Sequence, residues 1–306
     1  MSELRCSVGS ALAGEPMAGT APQARGWVAV EQAGPWGAKA LTSSHLHPEI
    51  GAGLQAGCAA HGLRPVLIRR PGRHADVGGP RRVLVAHTSP GRRWLLEGEI
   101  SHPRELLALD WPAISTGDRE AVARSLPSLL PTDLPALLVC TNGSRDRCCA
   151  IDGREVAAAA AELLPGRVWE TTHLSGHRFS ATGVLLPTGQ VHGRLTAGEV
   201  PGLIESLARG RTPIETLRGR STWGPREQVA EIAVRQAIGE DRLDAIVGVD
   251  AVEHPEVAGA LLVRHVDGRT WTVDVRVHDD GAARAESCGK ALVSMAPLHA
   301  RFLPAP

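Results

Sequence analysis

Apolar residues fall along this chain in short runs, each closed by glycine, proline or a pair of arginines. Runs of this kind bounded by turn residues predict strands. "GWVAVEQ" (26–32), "RPVLIRR" (64–70), "RRVLVAHTS" (81–89) and "RRWLLEGEI" (92–100) qualify, the last two joined by a Pro-Gly turn. Between the first two, "EIGAGLQAGCAAHG" (49–62) suits a helix closed by Gly62. "HPRELLALDW" (102–111) opens another, with Pro103 in its first turn. The same order returns about a hundred residues further on. "LPALLVC" (134–140) reads as a strand and "GREVAAAAAELLPG" (153–166) as a helix stopped by Pro-Gly. "RVWETTH" (167–173), "TGVLLPT" (182–188) and "QVHGRLT" (190–196) read as strands, and "AGEVPGLIESLARG" (197–210) as a further helix.

This order predicts an α/β (α+β) chain built as a tandem of two β-α-β-β-β-α units of thioredoxin-like order. Two unrelated α/β segments would give the same runs, because little residue identity links the halves. The expected division is a flexible N-terminal segment (1–20), a first half (21–112), a linker (113–133), a second half (134–210) and a C-terminal α+β domain (211–306). That last domain holds an amphipathic helix, "GPREQVAEIAVRQAIG" (224–239), and a hairpin of "AGALLVRHV" (258–266) and "RTWTVDVRVHD" (269–279) turned at Asp-Gly. No catalytic constellation stands out in it.

With 306 residues, 43% of them apolar, a globular chain of two or three modest domains is expected. Its 33 Lys and Arg balance 33 Asp and Glu, which argues against a nucleic-acid partner. No run reaches the length of a membrane span, and the N-terminal residues lack the continuous apolar stretch of a secretory signal. A soluble cytoplasmic protein follows as the expectation, in a compartment where disulfides are rare. Cys58, in an Ala/Gly-rich helical pattern, and Cys288, after "ARAES", read as small buried hydrophobes. "GAGLQAG" (51–57) imitates a dinucleotide fingerprint but follows no strand, so a close-packed helix is expected. His45 and His47 lack carboxylate or cysteine company and read as loop residues, while Trp36 of "GPWG" is expected to pack inward.

Chemistry concentrates in two stretches: "LLVCTNGSRDRCCAIDG" (138–154), with three cysteines, and "WETTHLSGHRFS" (169–180), with two histidines. On the expected scaffold Cys140 ends a strand and Cys148 and Cys149 lie in the loop before a helix. His173 ends the neighbouring strand, and His177 follows a Ser-Gly turn. Strand ends in a β-α-β unit converge on one edge. The pattern C-x8-C (or C-x7-C) plus H-x3-H can therefore gather two thiolates and two imidazoles, a complete four-coordinate metal set. Gly143 and Gly176 fall inside the two pairs, where the backbone must curl. A thioredoxin-type oxidoreductase would need C-x-x-C at the helix N-terminus, and the chain has none. A structural zinc site tolerates this set but favours a tighter cysteine knuckle, whereas an iron–sulfur cluster accommodates the longer spacing. The bland reading makes Cys140 a core residue and leaves His173 and His177 exposed on a loop.

Together with "GWVAVEQAGPWGAKAL" (26–41), "STWGPREQVAE" (221–231) and "SCG" (287–289), these stretches resemble the sucrase/ferredoxin-like family, whose members carry a thioredoxin-like ferredoxin domain. The resemblance covers most of the chain. It implies a [2Fe–2S] cluster bound by Cys140, Cys149, His173 and His177 as metal ligands, with Cys148 a neighbour. It also implies one-electron exchange with a redox partner protein, a reductase or an acceptor, rather than an enzyme acting on a substrate of its own. His192 stands where relatives often carry tyrosine. The alternatives are a zinc-stabilised binding module without redox function and a thiol-based redox sensor using Cys148 and Cys149. No paired-carboxylate signature supports a glycosidase. Two imidazoles replacing two thiolates predict a reduction potential above that of an all-cysteine ferredoxin, falling as pH rises through the histidine titration. Arg145, Arg147 and Arg178 flank the ligands, either as solvated loop charges or as a docking patch for an acidic partner.

Overall fold

The computed structural model describes residues 4–72, 79–278, 283–294 and 296–304. The chain opens with α1 (Cys6–Leu12), β1 (Gly26–Glu31), α2 (Ala40–Ser43), α3 (Pro48–Ala60), β2 (Leu63–Arg69), β3 (Arg81–His87) and β4 (Trp94–Ile100). A 3-10 turn (Pro103–Ala108), α4 (Trp111–Thr116), α5 (Arg119–Ser125) and β5 (Leu130–Thr132) follow. Next come β6 (Ala136–Cys140), α6 (Arg147–Leu163), β7 (Val168–Thr171), β8 (Gly183–Leu186), β9 (Gln190–His192), α7 (Val200–Ala208) and β10 (Leu217–Arg220). The last part holds α8 (Pro225–Ile238), β11 (Ile246–Val252), β12 (Ala260–His265), β13 (Thr270–Val277), β14 (Ala283–Ala285), β15 (Leu292–Ser294) and β16 (Leu298–Leu303).

Strands β1 to β10 form one sheet in the order β10-β9-β8-β6-β7-β2-β1-β3-β4-β5, which bears out the mixed α/β class. Within it, β2-β1-β3-β4 and β7-β6-β8-β9 share one order and one set of senses. Each has a parallel pair bridged by a helix (α3 or α6) and then two antiparallel steps. The halves meet edge to edge where β2 runs antiparallel to β7, with Ile68 opposite Thr171. Central strands covered on both faces need apolar residues at successive positions. In β6, Leu137 and Val139 pack beneath α6 and α7, while Leu138 and Cys140 face the opposite layer with Trp27 and Trp169.

Several expectations need correction. Of the expected flexible segment 1–20, the described residues 4–20 are packed: α1 has Cys6 and Ser10 buried, and the buried Glu15 pairs with Arg178 at 2.7 Å. The stretch 102–111 makes only the 3-10 turn, because Pro112 restarts the chain as α4 under an Asp110 cap. The expected linker (113–133) carries α5 and also β5, which pairs with β4 at the sheet edge. β10 lies beyond residue 210 yet closes the opposite edge of the same sheet. The final domain packs α8 on the sheet β11-β12-β13-β16 through Val229, Val234, Ile246, Leu261 and Val273. The fingerprint look-alike 51–57 lies in α3, where a Cβ at Gly57 would strike the Trp111 ring at 2.7 Å, as a close-packed helix requires.

Candidate metal centre

Cys140 ends β6 with its N–H bonded to Thr182, and is buried. α6 begins six residues before the expected start at Gly153, under an Asp146 cap whose carboxylate accepts the Cys148 N–H at 2.9 Å. Cys148 and Cys149 therefore occupy the first turn of a helix rather than a loop. Successive helical residues lie about 100° apart, so the two thiols take different partners. Gly153, one turn after Cys149, has no room for a Cβ, because the carbonyl of Cys140 occupies that space. The missing side chain lets the helix lie on the strand end and brings Cys149 to Cys140. Hydrogen bonding with the Cys149 thiol holds Cys140 well below the ordinary thiol range against the opposing effect of burial, and the nearby His173 ring adds to it. Cys149 is pushed up by the same bond and by burial.

His173 lies just past β7, and Ser175 and Gly176 both take left-handed φ of 64°. That double reversal returns the chain so that the rings of His173 and His177 stand 4.9 Å apart. Ser175 is an uncommon residue for this conformation, and two arginines, half-buried Arg64 and buried Arg218, hold it. Arg64 donates to the carbonyl of His173 (2.9 Å) and to Ser175 Oγ (3.2 Å), and Arg218 donates to the carbonyl of Ser175 (3.2 Å). Burial pushes His177 below the ordinary imidazole range, and the second ring pushes it the same way. The Nδ1 atoms of both His173 and His177 are buried without a hydrogen-bond partner. Burial without a partner costs free energy unless something takes the lone pair.

The surroundings are cationic. Arg178, Arg194 and Arg218 approach the Phe179 ring at 4.5, 5.6 and 5.5 Å. Arg178 is thus committed to Phe179 and Glu15 rather than being a solvated loop charge, whereas Arg145 is exposed. A cleft of about 670 Å³ opens over the turn, lined by both histidines together with Arg145, Arg178, Glu286 and Lys290. Below the Cys140 end, Trp36 is buried as expected, with Arg69 stacked on it at 4.2 Å and paired with Glu170 at 2.6 Å. Asn142 ties that loop to the site by donating to the carbonyl of Gly37. Sequence reasoning misses Arg64 and Arg218, since an arginine inside a strand run carries no local mark of what it reaches.

A second group of donors lies alongside. The donor atoms of Cys6, Asp146, Cys148 and Cys288 all fall within 4.8 Å of one another, the one such group of three or more among the described residues. Cys288 is therefore no simple buried hydrophobe: it is half-buried at the tip of the β14–β15 hairpin. Cys58 does sit in the apolar core of the first half, and His45 and His47 are exposed.

No curated protein matches the chain. A crystal structure of a cysteine-to-serine variant of the thioredoxin-like [2Fe-2S] ferredoxin from Aquifex aeolicus is similar at 21% identity and a TM-score of 0.24, covering 28% of this chain and 96% of that one. The sucrase/ferredoxin-like family model matches residues 17–219, a span that holds β1 through most of β10 and all four of Cys140, Cys149, His173 and His177. The chain belongs to the sucrase/ferredoxin-like family.

Proposed function

We propose that this chain is an electron carrier, holding a [2Fe–2S] cluster through Cys140, Cys149, His173 and His177. The observation that carries the reading is the pair of buried, unpartnered Nδ1 atoms of His173 and His177 beside the Cys140 sulfur. Two soft thiols and two imidazoles suit iron–sulfur ligation. When bound, the cluster supplies a one-electron couple whose potential the mixed ligand set raises above that of an all-cysteine site. The protein's own contribution is positional and electrostatic. Gly153 sets the distance between the cysteines, and the turn at Ser175 and Gly176 sets the distance between the histidines. Arg64 and Arg218 fix that turn while placing positive charge near the thiols. Arg145 and Lys290 at the cleft rim give an acidic redox partner a docking surface.

The sensor alternative on a Cys148–Cys149 pair loses support, since Cys148 meets Cys6 and Cys288 while Cys149 meets Cys140. The test is direct. Purified protein should be red-brown, with iron and acid-labile sulfide in equal amounts. Cys149→Ser should bleach it and Cys148→Ser should leave the colour. A colourless protein without iron overturns the proposal, and bleaching by Cys148→Ser alone reassigns the ligand.

A further inference from the structure

Cys6 in α1, Asp146 and Cys148 at the start of α6, and Cys288 in the β14–β15 hairpin come from three distant parts of the chain. Their sulfurs form a nearly equilateral triangle: 3.6 Å from Cys6 to Cys148, 3.3 Å from Cys148 to Cys288 and 3.6 Å from Cys288 to Cys6. The Asp146 carboxylate caps it, with oxygens 3.6 and 3.8 Å from the Cys6 sulfur. A tetrahedral zinc ion with Zn–S of about 2.3 Å and Zn–O of about 2.0 Å requires edges of about 3.8 Å between sulfurs and about 3.5 Å from sulfur to oxygen. The observed separations are close to those edges. We propose that Cys6, Cys148, Cys288 and Asp146 form a Cys3Asp site for a single zinc ion, distinct from the Cys140/Cys149/His173/His177 centre.

Further features fit a metal site better than a thiol cluster. Asp146 is held as ligating carboxylates are, by Ser287 Oγ (2.7 Å) and the Cys288 N–H (2.9 Å) on Oδ2 and the Cys148 N–H (2.9 Å) on Oδ1. Oδ1 accepts one of these bonds and so keeps a lone pair. The Cys6 N–H points to the Cys288 sulfur at 3.5 Å, and Arg147 donates to it as well. Half-buried Cys288 leaves an entry path for the ion. All four donors surround one point, too tight for a two-iron core. The zinc would fasten both ends of the chain to α6 and hold Glu286 and Lys290 as the roof of the cleft over His173 and His177.

The full-length protein, expressed with added zinc and purified under reducing conditions without chelator, tests this. Elemental analysis should find one zinc per chain, counted separately from iron. Zinc X-ray absorption should show three sulfurs at about 2.3 Å and one oxygen at about 2.0 Å. Cys288→Ser should lose the zinc and keep the iron. Ser287→Ala, which leaves every thiol in place, should weaken zinc binding roughly 10–100-fold in chelator competition. Zinc below stoichiometry in the wild type overturns the proposal. So does zinc retained by Cys288→Ser, or an intact mass that marks a disulfide among the three cysteines. Zinc without iron would sink the electron-carrier reading and leave this site standing; iron without zinc would do the reverse.

Discussion

His192 is enclosed, with Nδ1 on Thr216 Oγ1 at 2.9 Å and Nε2 without a partner, so protonating it puts a charge in the core. Burial pushes it down to about 4. Because that folded-state value lies below the unfolded one, the unfolded chain takes up the proton first as pH falls. Stability should therefore decline from about pH 6.5 towards pH 4, by about 2 kcal/mol between pH 7 and pH 5 from this residue alone. Urea unfolding of the wild type and of His192→Gln at both pH values checks it, the variant losing that share of the slope. Gly153 makes a second residue-scale prediction. Gly153→Val should force α6 off the end of β6, destabilise the fold by about 1–3 kcal/mol and part Cys149 from Cys140. Denaturation together with iron content reads both effects. Arg218→Met should lower iron retention and move the midpoint potential down, with Arg218→Lys recovering the charge but not the clamp on Ser175. Redox titration of the three proteins separates the two contributions.

At the scale of elements, short apolar runs announce nearly every strand of the ten-stranded sheet, because strands covered on both faces must be apolar throughout. The helix starts are harder to see. "RDRCCAIDG" hides the first turn of α6 because Gly153 looks like a breaker, although it is there for close approach to Cys140. Asp146 is the local signal that marks the true start. The four Cys and His positions are legible from spacing and family likeness. The partners of Cys148 are not, since Cys6 and Cys288 lie about 140 residues away on either side. The joint between β10 and α8 is equally silent in sequence: Glu231 is buried between Arg235 at 3.0 Å and Arg220 at 3.5 Å, all three enclosed. Glu231→Ala strands two buried cations and should cost about 3–5 kcal/mol. Thermal unfolding should show it, and an unchanged midpoint would contradict the buried-network account.

Across the whole molecule, one strand order is used twice, and Cys140, Cys149, His173 and His177 all lie in the second copy. Where β6 ends in Cys140, β1 ends in Glu31. The first half instead supplies Arg64 to the histidine turn and Trp36 beside Asn142, so both halves contribute residues around the candidate site. No helix among the described residues is long and apolar enough to cross a membrane. The most direct measurement is pulsed electron paramagnetic resonance on the reduced protein labelled with nitrogen-15 histidine. Two strongly coupled histidine nitrogens, one of them lost in His177→Cys while the paramagnetic signal persists, are the result predicted. A reduced signal with no histidine nitrogen coupling, or none at all from iron-loaded protein, would contradict the claim that His173 and His177 are ligands.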